Sequence, residues 1–236
     1  MSARVGSLTP VTSPDPSVPA PVVPVVPGGL FVSFEGGDGS GKSTQSRLLG
    51  EWLTGLGLTV VLTREPGGTE LGRVLRREVL HGGHVDARTE ALLYAADRAH
   101  HVATLVRPAL AAGGVVVTDR YLDSSVAYQG SGRDLGADEV EQLSLWATEG
   151  LLPAVTVLLD LDPAAGMARL RGRSDQPDRL ESAGDAFHRR TRAAFLDRAA
   201  ADPGRWLVLD AARGVDDVAA DVRARVAPLL GVEVAR

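Results

Sequence analysis

The sequence predicts an α/β fold in which a five-stranded parallel sheet lies between two layers of helices. Two observations carry that prediction. The first is five short, almost continuously apolar runs: LFVSFE (30–35), LTVVLT (58–63), VVVTD (115–119), VTVLLD (155–160) and WLVLD (206–210). Runs of that kind suit strands covered on both faces. The second is that helical stretches separate them, including 43–55, 89–112, 138–149, 184–201 and 215–229. Strand and helix in alternation give a parallel sheet with right-handed crossovers. Sites in such sheets lie at the carboxyl ends of the strands.

The chain has 236 residues, 44% of them hydrophobic, enough to bury a sizeable core. It has no cysteine, which excludes a disulfide framework, a zinc–thiolate site and a thiol nucleophile. That absence fits a reducing cytoplasm. A net charge of −5 argues against broad electrostatic binding to nucleic acid or to an anionic membrane. An anionic partner must therefore meet a local cluster of arginines.

Residues 1–28 hold seven of the 14 prolines. Proline at this density forbids a helix and favours extended polyproline II. The segment therefore reads as neither signal peptide nor membrane span. It is expected to be a disordered N-terminal extension, with a recognition site for a proline-reading module as the alternative. No repeat or second composition break follows, so residues 29–236 are expected to form one domain.

After the first strand comes FEGGDGSGKSTQ (34–45). Within it Gly36-Gly37-Asp38-Gly39-Ser40-Gly41-Lys42-Ser43 fits the phosphate-loop pattern G-x-x-x-x-G-K-[ST], between a strand and a helix. Glycines let backbone N–H groups converge on phosphate oxygens, and the helix N-terminus adds its positive dipole end. Lys42, the only lysine in the chain, is a compact charge for the outer phosphates, where a planar guanidinium would fit poorly. Thr44 continues the loop, and Ser43 can ligate Mg²⁺. The fold is then a three-layer P-loop α/β/α sandwich that binds a nucleoside triphosphate.

Phosphate loops serve kinases, switches and motors, so other residues must decide the class. VVVTDR (115–120) ends a strand in Asp119-Arg120. Asp119 is placed to hold Mg²⁺ or its waters, and Arg120 suits a second anion. The segment MARLRGRSDQPDRLE (167–181) carries Arg169, Arg171, Arg173 and Arg179 among turn formers. A lid over about 169–181 would supply the cation that phosphoryl transfer needs and that this phosphate loop lacks.

These residues bring out a resemblance. EGGDGSGKST (35–44), TREPGGTELG (63–72), RTEALLYAADR (88–98), TDRYLDSSVAYQG (118–130) and DRLE (178–181) resemble the bacterial thymidylate kinase family in order and spacing over about residues 30–210. The resemblance implies ATP-dependent phosphorylation of dTMP to dTDP by a Mg²⁺-requiring homodimer. It implies that Asp38 meets the sugar 3′-hydroxyl, that Arg64 and Arg76 line the acceptor site, and that Arg120 grips the acceptor phosphate. Tyr94 sits where an aromatic, often phenylalanine, stacks on thymine, and Arg98 matches the arginine that hydrogen-bonds the base. Ser125 and Gln129 match residues at its Watson–Crick edge, and Tyr128 the ring that crowds the 2′ position. Arg173 matches a catalytic lid arginine, with Arg169 and Arg179 beside ATP; the register of the lid is ambiguous by about a residue.

Spacing supports part of this. Tyr94 and Arg98 are four apart and share a helical face, so stacking plane and edge-reading donor come together. His81, His84, His100 and His101 lack zinc spacing and read as surface or helix residues. Trp52, Trp146 and Trp206 are expected to pack against the sheet. A kinase of an uncharged nucleoside would give Arg76 and Arg120 nothing to neutralise. A nucleotide-dependent switch would turn over no small acceptor, and the N-K-x-D run of GTPases is absent.

Overall fold

The computed structural model describes residues 29–171 and 178–232, so the N-terminal extension and Arg173 lie outside the described residues. In chain order, β1 (Leu30–Glu35) leads through the phosphate loop to α1 (Lys42–Gly55), β2 (Val60–Arg64), α2 (Glu70–His81) and α3 (Ala87–His101). A π-helical turn, Val102–Val106, joins α3 to α4 (Arg107–Ala111) and β3 (Val115–Asp119). Then come α5 (Leu122–Ser125), a second π-helical segment Val126–Gly132, α6 (Ala137–Thr148), β4 (Val155–Asp160) and α7 (Pro163–Leu170). The order closes with α8 (Asp185–Ala201), β5 (Trp206–Asp210) and α9 (Val215–Leu230).

All strands run parallel in the order β2-β3-β1-β4-β5. The chain therefore leaves β1 for one side of the sheet and later crosses to the other. Ligands in such sheets bind at that reversal, outside the carboxyl ends. Period-two alternation sends Leu30, Val32 and Phe34 to one face, where Leu49 and Leu53 of α1 and Val218, Val222 and Val226 of α9 cover them. Phe31 and Val116 face the other way, against Val102, Tyr121 and Leu122. Leu158 and Trp206 meet Phe195 and Ala199 of α8.

The five strands and five helical stretches fall where the sequence places them, within a residue or two at most ends. The expected helix over 89–112 is instead interrupted at Val102–Val106. Pro108, in the first turn of the following segment, has no N–H for a helical bond, and the wider turn before it accommodates that loss. Two tryptophans behave as expected: Trp206 is buried and Trp52 packs against the core. Trp146 does not, being 80% exposed. The buried residues of α6 are Val140, Ser144 and Thr148, spaced by four, so position 146 falls on the opposite face. His101, the last residue of α3, is a helix residue as read, and a fully buried one, because polar partners come from β2 and the loop beyond it.

Candidate active site

The phosphate loop closes over the end of β1 in a conformation that only glycine adopts easily. Gly36, Gly39 and Gly41 have φ of 133°, 75° and 97°. A Cβ at Gly39 would run into the carbonyl of Gly166 in α7, and one at Gly36 into that of Leu159. Bare backbone is therefore needed for packing as well as for phosphate. Lys42 opens α1 and folds back, donating from Nζ to the carbonyls of Gly36 (3.1 Å) and Gly37 (2.8 Å). Burial, joined by repulsion from Arg120, pulls its pKa down to about 8.

β3 lies beside β1 and ends next to the loop. Arg120 has a left-handed φ of 70°, rare for a side chain of its size. Its N–H donates to Phe34 O, and its carbonyl accepts from the Thr118 hydroxyl. Thus held, the guanidinium donates to Gly36 O and Ser124 Oγ (3.1 Å each), to Tyr128 Oη (3.2 Å) and to the Asp38 carboxylate. Burial alone would raise Asp38, but Arg120 and Lys42 outweigh it and hold the carboxyl below its usual range. Ser43 Oγ donates to Asp119 Oδ2 across 2.5 Å, so a hydroxyl and a carboxylate stand together at the start of α1.

A cleft of about 200 Å³ opens beyond the loop. Arg64 and Arg76 line it from the side of β2, and Arg120 from that of β3. Burial, then repulsion from Arg64 and Arg120, lowers the pKa of Arg76. Three guanidiniums that repel one another across a cleft suit a dianion. Deeper in, α3 presents Tyr94 and Arg98, and the α5 region Ser125, Tyr128 and Gln129. Burial pushes the Tyr94 and Tyr128 phenols well above their usual range, so both stay neutral. Arg98 is 1% exposed, and Gln129 Nε2 donates to Glu90.

A second cavity of about 380 Å³ lies across the phosphate loop, and Gly39, Gly41 and Thr44 line both. Ser40 lines only the second. There Arg169 donates to Gly39 O (3.3 Å) and Ala211 O (3.0 Å). Arg179 stands elsewhere. Its Nε donates to Val79 O and its Nη2 lies 2.5 Å from Glu90 Oε2, an ion pair without hydrogen-bond alignment. Of the lid arginines in the described residues, only Arg169 touches the loop.

Several lining residues carried no expected role. Glu65 stands inside the REPGG run, where its charge next to Arg64 was the available signal. Ser124 lies beside the assigned Ser125. Ala211 and Arg213, just after β5, and Val215, which opens α9, line the second cavity, and no local pattern marks them. Glu35, at the end of β1, is fully buried and accepts from Tyr121 N (2.8 Å) and Ser124 Oγ (2.5 Å). Burial, with the charge of Asp123, raises its pKa to about 8.

A family model described as thymidylate kinase matches residues 34–222. The chain is 60% identical over 205 residues to a thymidylate kinase of Leifsonia xyli subsp. xyli, a match spanning 86% of this chain and 97% of that relative. It is 50% identical over 199 residues to one from Deinococcus radiodurans, spanning 84% and 96%. The crystal structure of thymidylate kinase from Ehrlichia chaffeensis superimposes with a TM-score of 0.69 at 32% identity, over 85% of this chain and 99% of that one. With two cavities divided by a phosphate loop, and with relatives matched over nearly their whole length, this chain belongs to the thymidylate kinase family.

Proposed function

We propose that the chain transfers the γ-phosphoryl group of ATP to dTMP, giving dTDP, and that the cleft beside Arg120 receives the acceptor. The carrying observation is the phosphate loop as a wall shared by two cavities, one of them lined, besides the deeper Arg98, by Arg64, Arg76 and Arg120. A monophosphate dianion would neutralise those arginines and present an oxygen towards the loop. That oxygen is already anionic, so attack on the γ-phosphorus needs no general base. The new P–O bond forms as the bond to the β-phosphate oxygen breaks, and ADP leaves. Catalysis is then positioning and charge stabilisation. Lys42 and the N–H groups of residues 36–44 hold the outer phosphates. Arg120 orients the acceptor phosphate, and Asp38, pinned by Arg120, accepts the 3′-hydroxyl of the sugar. Tyr94 stacks on the base, Arg98, Ser125 and Gln129 read its edge, and Tyr128 crowds the 2′ position. Arg169 lies against the ATP side.

Ser43 and Asp119 fit Mg²⁺, since a hydroxyl and a carboxylate are hard oxygen donors and this ion keeps waters and phosphate oxygens for its other positions. Bound there, it would neutralise charge on the ATP phosphates. Arg173, outside the described residues, keeps the catalytic lid role assigned by resemblance. A homodimer is part of this reading. Leu71 and Val74 of α2, Leu92 of α3 and Trp146 of α6 expose apolar surface on helices that adjoin in the order α2, α3, α6. The cytoplasmic location belongs to it too, in keeping with ATP as co-substrate.

The test is an acceptor panel with ATP and Mg²⁺. The expected order is dTMP, then dUMP, with dCMP far behind. Turnover of thymidine but not dTMP would favour a nucleoside kinase, and no turnover of any acceptor a switch.

A further inference from the structure

Arg98 is a long side chain asked to present a donor at one place, and fixing such a chain works against its rotamer entropy. Four of its five N–H bonds already have acceptors. Nε donates to Glu65 Oε2 (2.7 Å), Nη1 to Ser144 Oγ (3.2 Å), and Nη2 to Tyr121 O (3.3 Å) and Ser125 Oγ (3.0 Å). Among the described residues, one N–H on Nη1 remains for the cleft that Arg98 lines. The plane of the guanidinium therefore decides where that donor points.

The charged anchor of the plane is Glu65, and it grips Arg98 through one oxygen only. A carboxylate held at a single oxygen can turn about its own bond. Its second oxygen, Oε1, lies 2.8 Å from His101 Nδ1. Glu65 is the acceptor for Arg98, so the ring carries its proton on Nδ1 and donates to Oε1. Nε2 is hydrogen-bonded to Thr63 Oγ1 at 2.7 Å. Both ring nitrogens are engaged in a fully buried imidazole. The REPGG run closes over it: a Cβ at Gly68 would stand 2.8 Å from His101 Nε2.

We propose that His101, acting through Glu65, is a positioning residue that fixes the guanidinium plane of Arg98 and so sets the base preference of the acceptor cleft. This rests on the dTMP reading above. His101 does not itself line the cleft and reaches it only through Glu65, so its effect should appear in selectivity rather than in phosphoryl transfer.

Two substitutions separate positioning from core filling. His101→Asn keeps a donor near Nδ1, within reach of Glu65, and gives up Thr63. His101→Gln places its amide near Nε2, keeps more of the volume, and gives up Glu65. The measurement is kcat/KM for dTMP divided by that for dCMP, with melting temperature and ATP KM recorded for each protein. His101→Gln should lower the ratio by about tenfold or more through the dTMP KM, whereas His101→Asn should retain most of it. Equal ratios in the two folded variants, or a better ratio in His101→Gln, would overturn the proposal. If neither variant folds, the isosteric Glu65→Gln carries the same readout: a lowered ratio supports positioning and an unchanged one overturns it. If Glu65→Gln also fails to melt cooperatively, the pair serves the fold alone and the proposal falls. A wild-type protein without dTMP preference would instead refute the functional reading.

Discussion

Arg120 and Asp38 form an ion pair that ties the residue after β3 to the loop after β1. Both side chains are mostly buried, and Arg120 also holds Gly36 O, Ser124 Oγ and Tyr128 Oη. One guanidinium thus shapes the phosphate loop and charges the acceptor cleft at once. That dual use fixes what its loss should do.

Arg120→Ala should lower kcat/KM for dTMP by a factor on the order of 10² or more, while ATP KM changes only a few-fold. Asp38 should respond as well. Its folded pKa is depressed, so the pair's contribution to stability is present above the ordinary carboxylate pKa and fades as pH falls through the folded value. Without Arg120 that contribution is gone, and acid unfolding should begin at higher pH. Steady-state kinetics together with an acid titration of the fold check both outcomes.

Lys42 gives a second pH signature. With a pKa of about 8, its ammonium is charged at neutral pH and loses its proton just above. kcat/KM for ATP reports the free enzyme, so it should be flat towards pH 8 and fall beyond it. Bound phosphates favour the charged form, so the limb in kcat should move to higher pH. Lys42→Ala should reduce kcat by about 10² or more and abolish the break near pH 8.

Glu35 titrates in the same range with a different consequence. Its folded pKa of about 8 lies above the usual 4.5. The folded state therefore holds a proton that the unfolded chain gives up. Stability from this group is full below about pH 4.5 and declines until pH passes about 8. Glu35→Gln can still accept from Tyr121 N and bond Ser124, but does not titrate. Its melting temperature should vary less between pH 5 and about 8.5 than that of the wild type, with a relative gain at the alkaline end. Parallel curves would place the titrating group elsewhere.

The apolar helix faces predict assembly. Leu92→Asp, on the exposed face of α3, should shift the protein towards monomer in sedimentation without lowering its melting temperature in the monomer regime. Burying an unpaired charge in an interface is unfavourable by several kcal/mol or more on transfer grounds. A wild type that sediments as a monomer at every concentration would remove the dimer from the reading.

How much of this was legible in the sequence depended on whether the partners were local. The strands were, because each is an apolar run, with β1, β3 and β4 buried almost throughout and only the edge strands β2 and β5 leaving Leu62 and Val208 exposed. The phosphate loop was, because eight consecutive residues build it. α2 was less so: half of its residues are charged or histidine, and of the rest only Gly72, Val79 and Leu80 are buried. Trp146 was misread because residue type suggested burial, while the phase of Val140, Ser144 and Thr148 decided it. His101 finds Glu65 36 positions away, across a strand end, and nothing near His101 announces that partner. Ala211 and Arg213 line the same cavity as the phosphate loop because β5 sits beside β4, which is a matter of topology rather than motif.

The lid arginines show the same limit and give the last prediction. Charge count made Arg169 and Arg179 equivalent candidates for ATP, but packing separates them. Arg169 donates to Gly39 O on the loop and to Ala211 O across the second cavity. Arg179 is drawn off by the buried Glu90 carboxylate, which Gln129 and Arg133 also engage. Arg169→Ala should raise ATP KM several-fold and leave dTMP KM nearly unchanged, since it removes a contact on one side of the loop only. Arg179→Ala should do the reverse of what an ATP ligand would. It should leave ATP KM within about twofold and lower stability by about 1–2 kcal/mol, because Glu90 keeps two of its three partners and a buried acceptor is only partly exposed to loss. If Arg179→Ala raises ATP KM more than Arg169→Ala does, the Glu90 pair must open during turnover, and the assignment of the donor site to Arg169 fails.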